Sequence, residues 1–276
     1  MTGLRVAWAF LRRDAGIAAS QRFGFIVQTL GLVAGVATFA YLSRFVGNPA
    51  GSGGEAEALS PVSASGILGF WLVGLAVGEL FRRTTMALPR KVREAQLEGT
   101  LEAMLSTPAP AAWIVLSAPL FEIGAGALQA LFMVGAGVAL FAVPLGPVNA
   151  GALLLTVITS LLAFGALGLL GGAITMLLRR TDPVTALLGL GGVLIGGVLF
   201  PIAELPASLR AIASAFPLAP SLEAFRLSLF AGAGLDRVGA PLLTVAVFAA
   251  VCGPLAAAAF ALALRRARVQ GSLGQY

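Results

Sequence analysis

The chain has 276 residues, 58% of them hydrophobic and only 11% charged, with a mean hydropathy of +0.95 and a formal net charge of +6. A soluble domain carries about a quarter charged residues, so the composition describes an integral membrane protein; the basic residues gather at the ends of apolar runs, which is a topology signal and not a nucleic-acid surface. Histidine is absent and Cys252 is the single cysteine, which excludes Ser-His and Cys-His catalysis, His-ligated metal sites and an intrachain disulfide.

The start does not read as a cleaved signal peptide, because Arg5, Arg12, Arg13, Asp14 and Arg22 interrupt it. Leu4, Trp8 and Leu11 instead fall on one helical stripe, with Arg5 and Arg12 on a neighbouring face. This predicts an interfacial helix within residues 1–22, with Trp8 toward the apolar side and the arginines toward lipid phosphates. A frayed basic tail is the plainer alternative.

A span needs about 20 mostly apolar residues, and six segments meet it. They are Phe23 to Val46, Ser65 to Phe81, Trp113 to Val143, Asn149 to Leu178, Val184 to Phe200 and Pro241 to Leu264. The third and fourth are overlong, so they tilt or extend past the lipid. Basic residues sort the ends. Arg5, Arg12, Arg13, Arg22, Arg82, Arg83, Arg90, Lys91, Arg93, Arg179, Arg180, Arg265, Arg266 and Arg268 fall on one face, and only Arg44, Arg210, Arg226 and Arg237 on the other. The rich face is cytoplasmic by the positive-inside rule. Both termini are then inside, and the span count is even. Gly31/Gly35, Gly74/Gly78, Gly168/Gly172 and Gly192/Gly196 repeat the spacing that lets helices approach closely.

After the basic cluster beyond the second span comes Glu94-Ala-Gln-Leu-Glu98-Gly-Thr-Leu-Glu102-Ala-Met-Leu-Ser106, stopped by Pro108 to Pro110. As a helix it aligns Glu94, Glu98 and Glu102 on one ridge and Leu97, Leu101 and Leu105 on the next. Two readings are open: a solvated surface helix, or a lever with its apolar ridge on the membrane domain and its carboxylates on a basic cleft of a partner. Gly99 permits close approach at some cost in helix propensity.

Other charges are weighed singly. Glu79 precedes Arg83 by four residues and is expected to pair with it. Glu122 lies in the third apolar run and is either a cavity-lining site for a polar part of a cargo or an interfacial carboxylate. The outer loop from Gly47 to Pro61 reads as flexible. The later outer segment, residues 201–226, is too apolar for a solvated loop and too proline-broken for a span. It is expected to form short helices dipping into the outer leaflet, where irregular backbone must be buried in protein or line a cavity.

The run Glu94-x3-Glu98-Gly-Thr-Leu-Glu102-x2-Leu-Ser-Thr-Pro108 after a second span, with the late Phe-Pro…Leu-Pro…Pro…Arg stretch before the last span, resembles the permeases of ABC-2-type transporters. The resemblance covers essentially the whole chain. It implies one all-helical transmembrane domain, residues 1–276, with six spans, both termini cytoplasmic, in a bacterial-type cell membrane. Residues 94–106 would be the coupling helix, with Glu94, Glu98, Gly99, Thr100 and Glu102 meeting the ATPase. Trp8, Arg5 and Arg12 would mark the interfacial helix, and Phe200, Pro201, Pro206 and Pro217 the outer gate. No Walker-type phosphate loop is present, so the chain is expected to be a transport subunit without an ATPase site, a cofactor or a metal of its own. ATP and Mg would sit on a partner nucleotide-binding subunit, and a second permease copy or homologue would complete the path. Membrane lipids are expected partners and nucleic acid is not. The cargo expected is amphipathic: a lipid, a lipid-linked glycan or a hydrophobic drug, exported by alternating access. A non-transporting anchor subunit and an intramembrane lipid-modifying enzyme are the alternatives.

Overall fold

In a bilayer every backbone N–H and C=O must find its partner within the chain, which leaves an apolar sequence little choice but helix. The computed structural model describes residues 3–20, 31, 34–42, 64–100, 110–143, 145–178, 192 and 195–269. Among them there is no strand. The helices are α1 (Gly3–Ser20), α2 (Ala64–Leu97), α3 (Ala111–Ser117), α4 (Leu120–Phe141), α5 (Ala150–Leu178), α6 (Ala207–Ala215), α7 (Leu218–Phe230) and α8 (Leu235–Val269), with a 3-10 turn at Ile202–Glu204. Residues 34–42 are also helical.

Among the described residues three stretches are long and apolar enough to cross a membrane: Trp113–Phe141, Ala150–Leu178 and Leu235–Ala267. They correspond to the expected third, fourth and sixth spans. The second lies inside α2. The first and fifth fall largely outside the described residues, as do Glu102 and most of the proline stop. The overlong third run is not one helix. It breaks between Ser117 and Leu120, where Pro119 has no N–H to give and α3 hands over to α4. The break leaves a 22-residue helix, close to the length a bilayer needs.

Helix α5 is central. It lies along α8 on one side and α2 on another, α4 packs on α2, and α7 wedges between α2, α5 and α8. The main core joins Val73, Val77, Leu80 and Phe81 of α2 to Phe164 of α5, Leu218, Leu222 and Phe225 of α7 and Val245 of α8. The Phe81 ring stands edge-on to Phe164 at 5.0 Å and to Phe216 at 5.6 Å, the arrangement aromatic quadrupoles favour. A second cluster, Leu88, Val92, Ala173, Met176, Phe260 and Leu264, closes one end of the bundle. At the other end the 34–42 stretch packs Val36 and Ala40 on Leu68, Leu72 and Met133. The glycine pair of α5 sits where it is needed: a Cβ on Gly168 would lie 2.9 Å from the Thr84 carbonyl oxygen of α2. Outside this core the leucines face outward. Leu128, Leu131, Leu154, Leu162, Leu243 and Leu255 are each exposed by more than half, as expected of helices that face lipid.

Candidate functional site

Helix α2 runs for 34 residues, with Pro89 inside it, from the second expected span into the acidic run. At 1.5 Å per residue it is about 51 Å long, against a hydrocarbon core of about 30 Å. The helix is therefore longer than a bilayer's apolar core is thick. The acidic run is not a separate, continuous helix as expected: Glu94 belongs to α2, which ends at Leu97, and Glu98 and Gly99 form a turn. Gly99 takes a left-handed φ of +67°, a conformation glycine enters without a Cβ penalty. The helix bond from Glu98 N–H to the Glu94 carbonyl survives at 2.9 Å, whereas Gly99 N–H turns to the Gln96 carbonyl at 3.2 Å. Glu94 and Glu98 thus stay one turn apart, both exposed, and Thr100 follows as a helical residue. The packed face also differs from the expected leucine ridge. Val92, Ala95 and Gln96 are buried, whereas Leu97 is 63% exposed.

Helix α1 lies at the same end. Its inward ridge carries buried Val6, half-buried Phe10 and buried Asp14, and Gly3 fits against the Trp113 ring, with no room for a Cβ. The Leu4–Trp8 stripe faces away from the protein, and Trp8 is 67% exposed. Arg5 and Arg12 are exposed beside it. Between α1 and the ends of α2, α3, α5 and α8 lies a cleft of about 220 Å³. Leu88, Val92, Ile114, Met176, Phe260 and Leu264 line its apolar part, and Arg13, Lys91, Glu94, Glu98 and Thr100 its polar part. The structure thus brings four of the expected docking residues (Glu94, Glu98, Gly99 and Thr100) to one place and puts α1 beside them.

A charged cluster sits further along α2. Arg82 donates to both oxygens of Glu79 at 2.6 and 2.7 Å, and Arg83 Nε donates to Glu79 Oε1 at 2.9 Å. The i, i+4 pairing of Glu79 with Arg83 is as expected. Arg83 also reaches Glu122 Oε2 at 3.4 Å. Glu122 is in the first turn of α4, where a carboxylate suits the helix dipole, and its ion pair ties α4 to α2.

At the opposite end the expected outer segment is indeed built of short helices. Pro206 and Pro217 immediately precede α6 and α7, where proline's fixed φ starts a helix without loss of a needed donor. Pro201 is exposed and precedes the 3-10 turn; Phe200 is half-buried. Helix α6 is mostly exposed, but α7 is deeply buried, with Leu218, Ala219, Leu222 and Ala224 at 1% exposure or less. Two contacts that the sequence reading missed fasten this segment to α2. Trp71 Nε1 donates to the Leu199 carbonyl at 2.8 Å. Arg226 donates to the carbonyls of Phe70 at 3.2 Å and Gly197 at 3.1 Å, with its guanidinium 3.5 Å from the centre of the Phe70 ring. Neither pairing has a sequence signal, since both join residues far apart in the chain.

The order of these parts, a span prolonged into an acidic end, then further spans, then short proline-started helices, is matched by a family profile. The ABC-2 type transporter profile matches residues 66–230, from the first turn of α2 through the last of α7. The chain belongs to this family. A search of the curated proteins finds no match. The ABC-2 match and the apolar helices together make this a multi-pass membrane protein of a transport family. In such proteins the permease normally works with an ABC ATPase subunit.

Proposed function

We propose that this ABC-2 protein is the permease subunit of an exporter driven by a separate ATPase. The observation that carries the reading is the continuity of α2: one helix joins the outer contacts at Phe70 and Trp71 to the exposed acids Glu94 and Glu98. Force applied to the acidic end is carried along a rod whose other end holds α7 and the loop at residues 197–199. The ATPase subunit, carrying ATP and Mg, presents basic residues to Glu94 and Glu98. Its closure tilts α2 and changes access to a path between two permease copies. Glu102 extends the same acidic surface, and Trp8, Arg5 and Arg12 lay α1 in the inner headgroup layer. The outer helices with Phe200, Pro201, Pro206 and Pro217 form the gate. The cargo is amphipathic, in keeping with apolar walls and few charges. Glu122 serves α2–α4 cohesion in this account; its ion pair with Arg83 favours that over a place in the cargo path.

The test is Glu98→Arg in the full chain, reconstituted in liposomes with its ATPase subunit and a fluorescent phospholipid as probe. Lipid moved per ATP is expected to fall severalfold, or the complex to dissociate, while the chain still inserts. A wild-type ratio in that variant contradicts the docking role.

A further inference from the structure

Asp14 is the most deeply buried acid among the described residues, with its side chain 3% exposed. It sits on the inward ridge of α1, a helix that packs chiefly on α3 and α4, and it faces Lys91 of α2. Its Oδ1 accepts from Arg13 Nε at 2.9 Å, and its Oδ2 lies 3.4 Å from Lys91 Nζ on α2. Lys91 is the only lysine of the chain. The same ammonium is 3.7 Å from Glu94 Oε2. Charges of alternating sign, Arg13, Asp14, Lys91 and Glu94, therefore run from α1 across the rim of the cleft to the first of the docking acids. Asp14 keeps Arg13 and Lys91 keeps Glu94 on their own helices, so the Asp14–Lys91 ion pair is the contact among these that joins α1 to α2.

We propose that Asp14 and Lys91 form a strut that fixes α1 on the acidic end of α2, so that the two move as one body. Both are positioning residues. Lys91 also orients Glu94, so the strut links the interfacial helix to the docking surface. This rests on the docking reading only for its consequence in transport; the strut itself is a statement about where α1 is held.

The full-length Cys252→Ser chain is labelled with spin probes at Ala18→Cys on α1 and Ala261→Cys on α8, both exposed positions. Distances are measured in lipid nanodiscs. The parent gives one narrow distribution. Asp14→Asn and Lys91→Met each broaden it. The double variant is no broader than either single, because a pair already broken has nothing further to lose. Lys91→Arg keeps the charge and restores the narrow distribution. A narrow distribution in either Asp14→Asn or Lys91→Met overturns the strut. Transport per ATP, measured in parallel, is expected to fall in both neutral variants and to recover in Lys91→Arg. Unchanged transport in Glu98→Arg would overturn the docking reading and leave the distance measurement to decide the strut.

Discussion

Arg83 is held between two carboxylates, Glu79 on its own helix and Glu122 on α4, with only 12% of its side chain exposed. Removing the cation leaves Glu122 without its partner, whereas Glu79 keeps Arg82. Arg83→Met is therefore expected to destabilise the protein by on the order of 2 kcal/mol, read as an earlier transition in detergent unfolding. Glu122→Gln keeps the size of the side chain and forgoes one partly exposed pair, at a cost of less than about 1 kcal/mol. The same pair of variants separates cohesion from cargo recognition. If Glu122→Gln unfolds normally but changes which fluorescent lipid is moved, Glu122 belongs to the path. At this scale the sequence was informative where partners are a turn apart, as Glu79 and Arg83 are. It was silent on Asp14 with Lys91 and on Arg226 with Phe70, because no local spacing encodes a contact across the fold.

Helix α2 joins the two ends of the bundle, and the half that carries Phe70 and Trp71 is held by close backbone approach. A Cβ at Gly74 would overlap the Val198 carbonyl oxygen and come within 3.2 Å of the Arg226 guanidinium. Gly74→Val is expected to cost about 2 kcal/mol or more by overpacking, and to loosen the loop that Trp71 and Arg226 hold. Gly124 of α4 has open space around it, so Gly124→Ala is expected to be neutral or to stabilise by up to about 1 kcal/mol through helix propensity. Unfolding of the two variants side by side checks both. Element existence was legible from hydropathy in α4, α5 and α8, since about 20 apolar residues admit few other structures. Element ends were not. The α3–α4 break is set by Pro119 in an otherwise apolar run, and the end of α2 by the left-handed backbone of Gly99. Both residues stood in plain view, yet the length of the apolar run and the acidic spacing argued for continuous helix.

The molecule as a whole gathers its charged machinery at one end. Helix α1, the tip of α2, α3 and the ends of α5 and α8 line a common cleft, and the proline-started helices α6 and α7 follow the loop held by Trp71 and Arg226 at the far end of α2. This division was legible from the distribution of arginine and lysine along the chain, because the positive-inside rule acts on loops and needs no tertiary detail. The cleft itself was not legible, since it arises from how five helix ends meet. In the proposed function the acidic end of α2 faces the cytosol and is covered there by the ATPase subunit. In the Cys252→Ser chain carrying Leu97→Cys, an exposed position beside the docking acids that leaves both carboxylates in place, a membrane-impermeant maleimide is applied to intact cells and to inverted membrane vesicles. The account predicts no labelling in cells, rapid labelling in inverted vesicles stripped of the ATPase, and protection when the ATPase subunit is added back. Labelling from outside intact cells, or labelling in vesicles that the ATPase leaves unchanged, would contradict it.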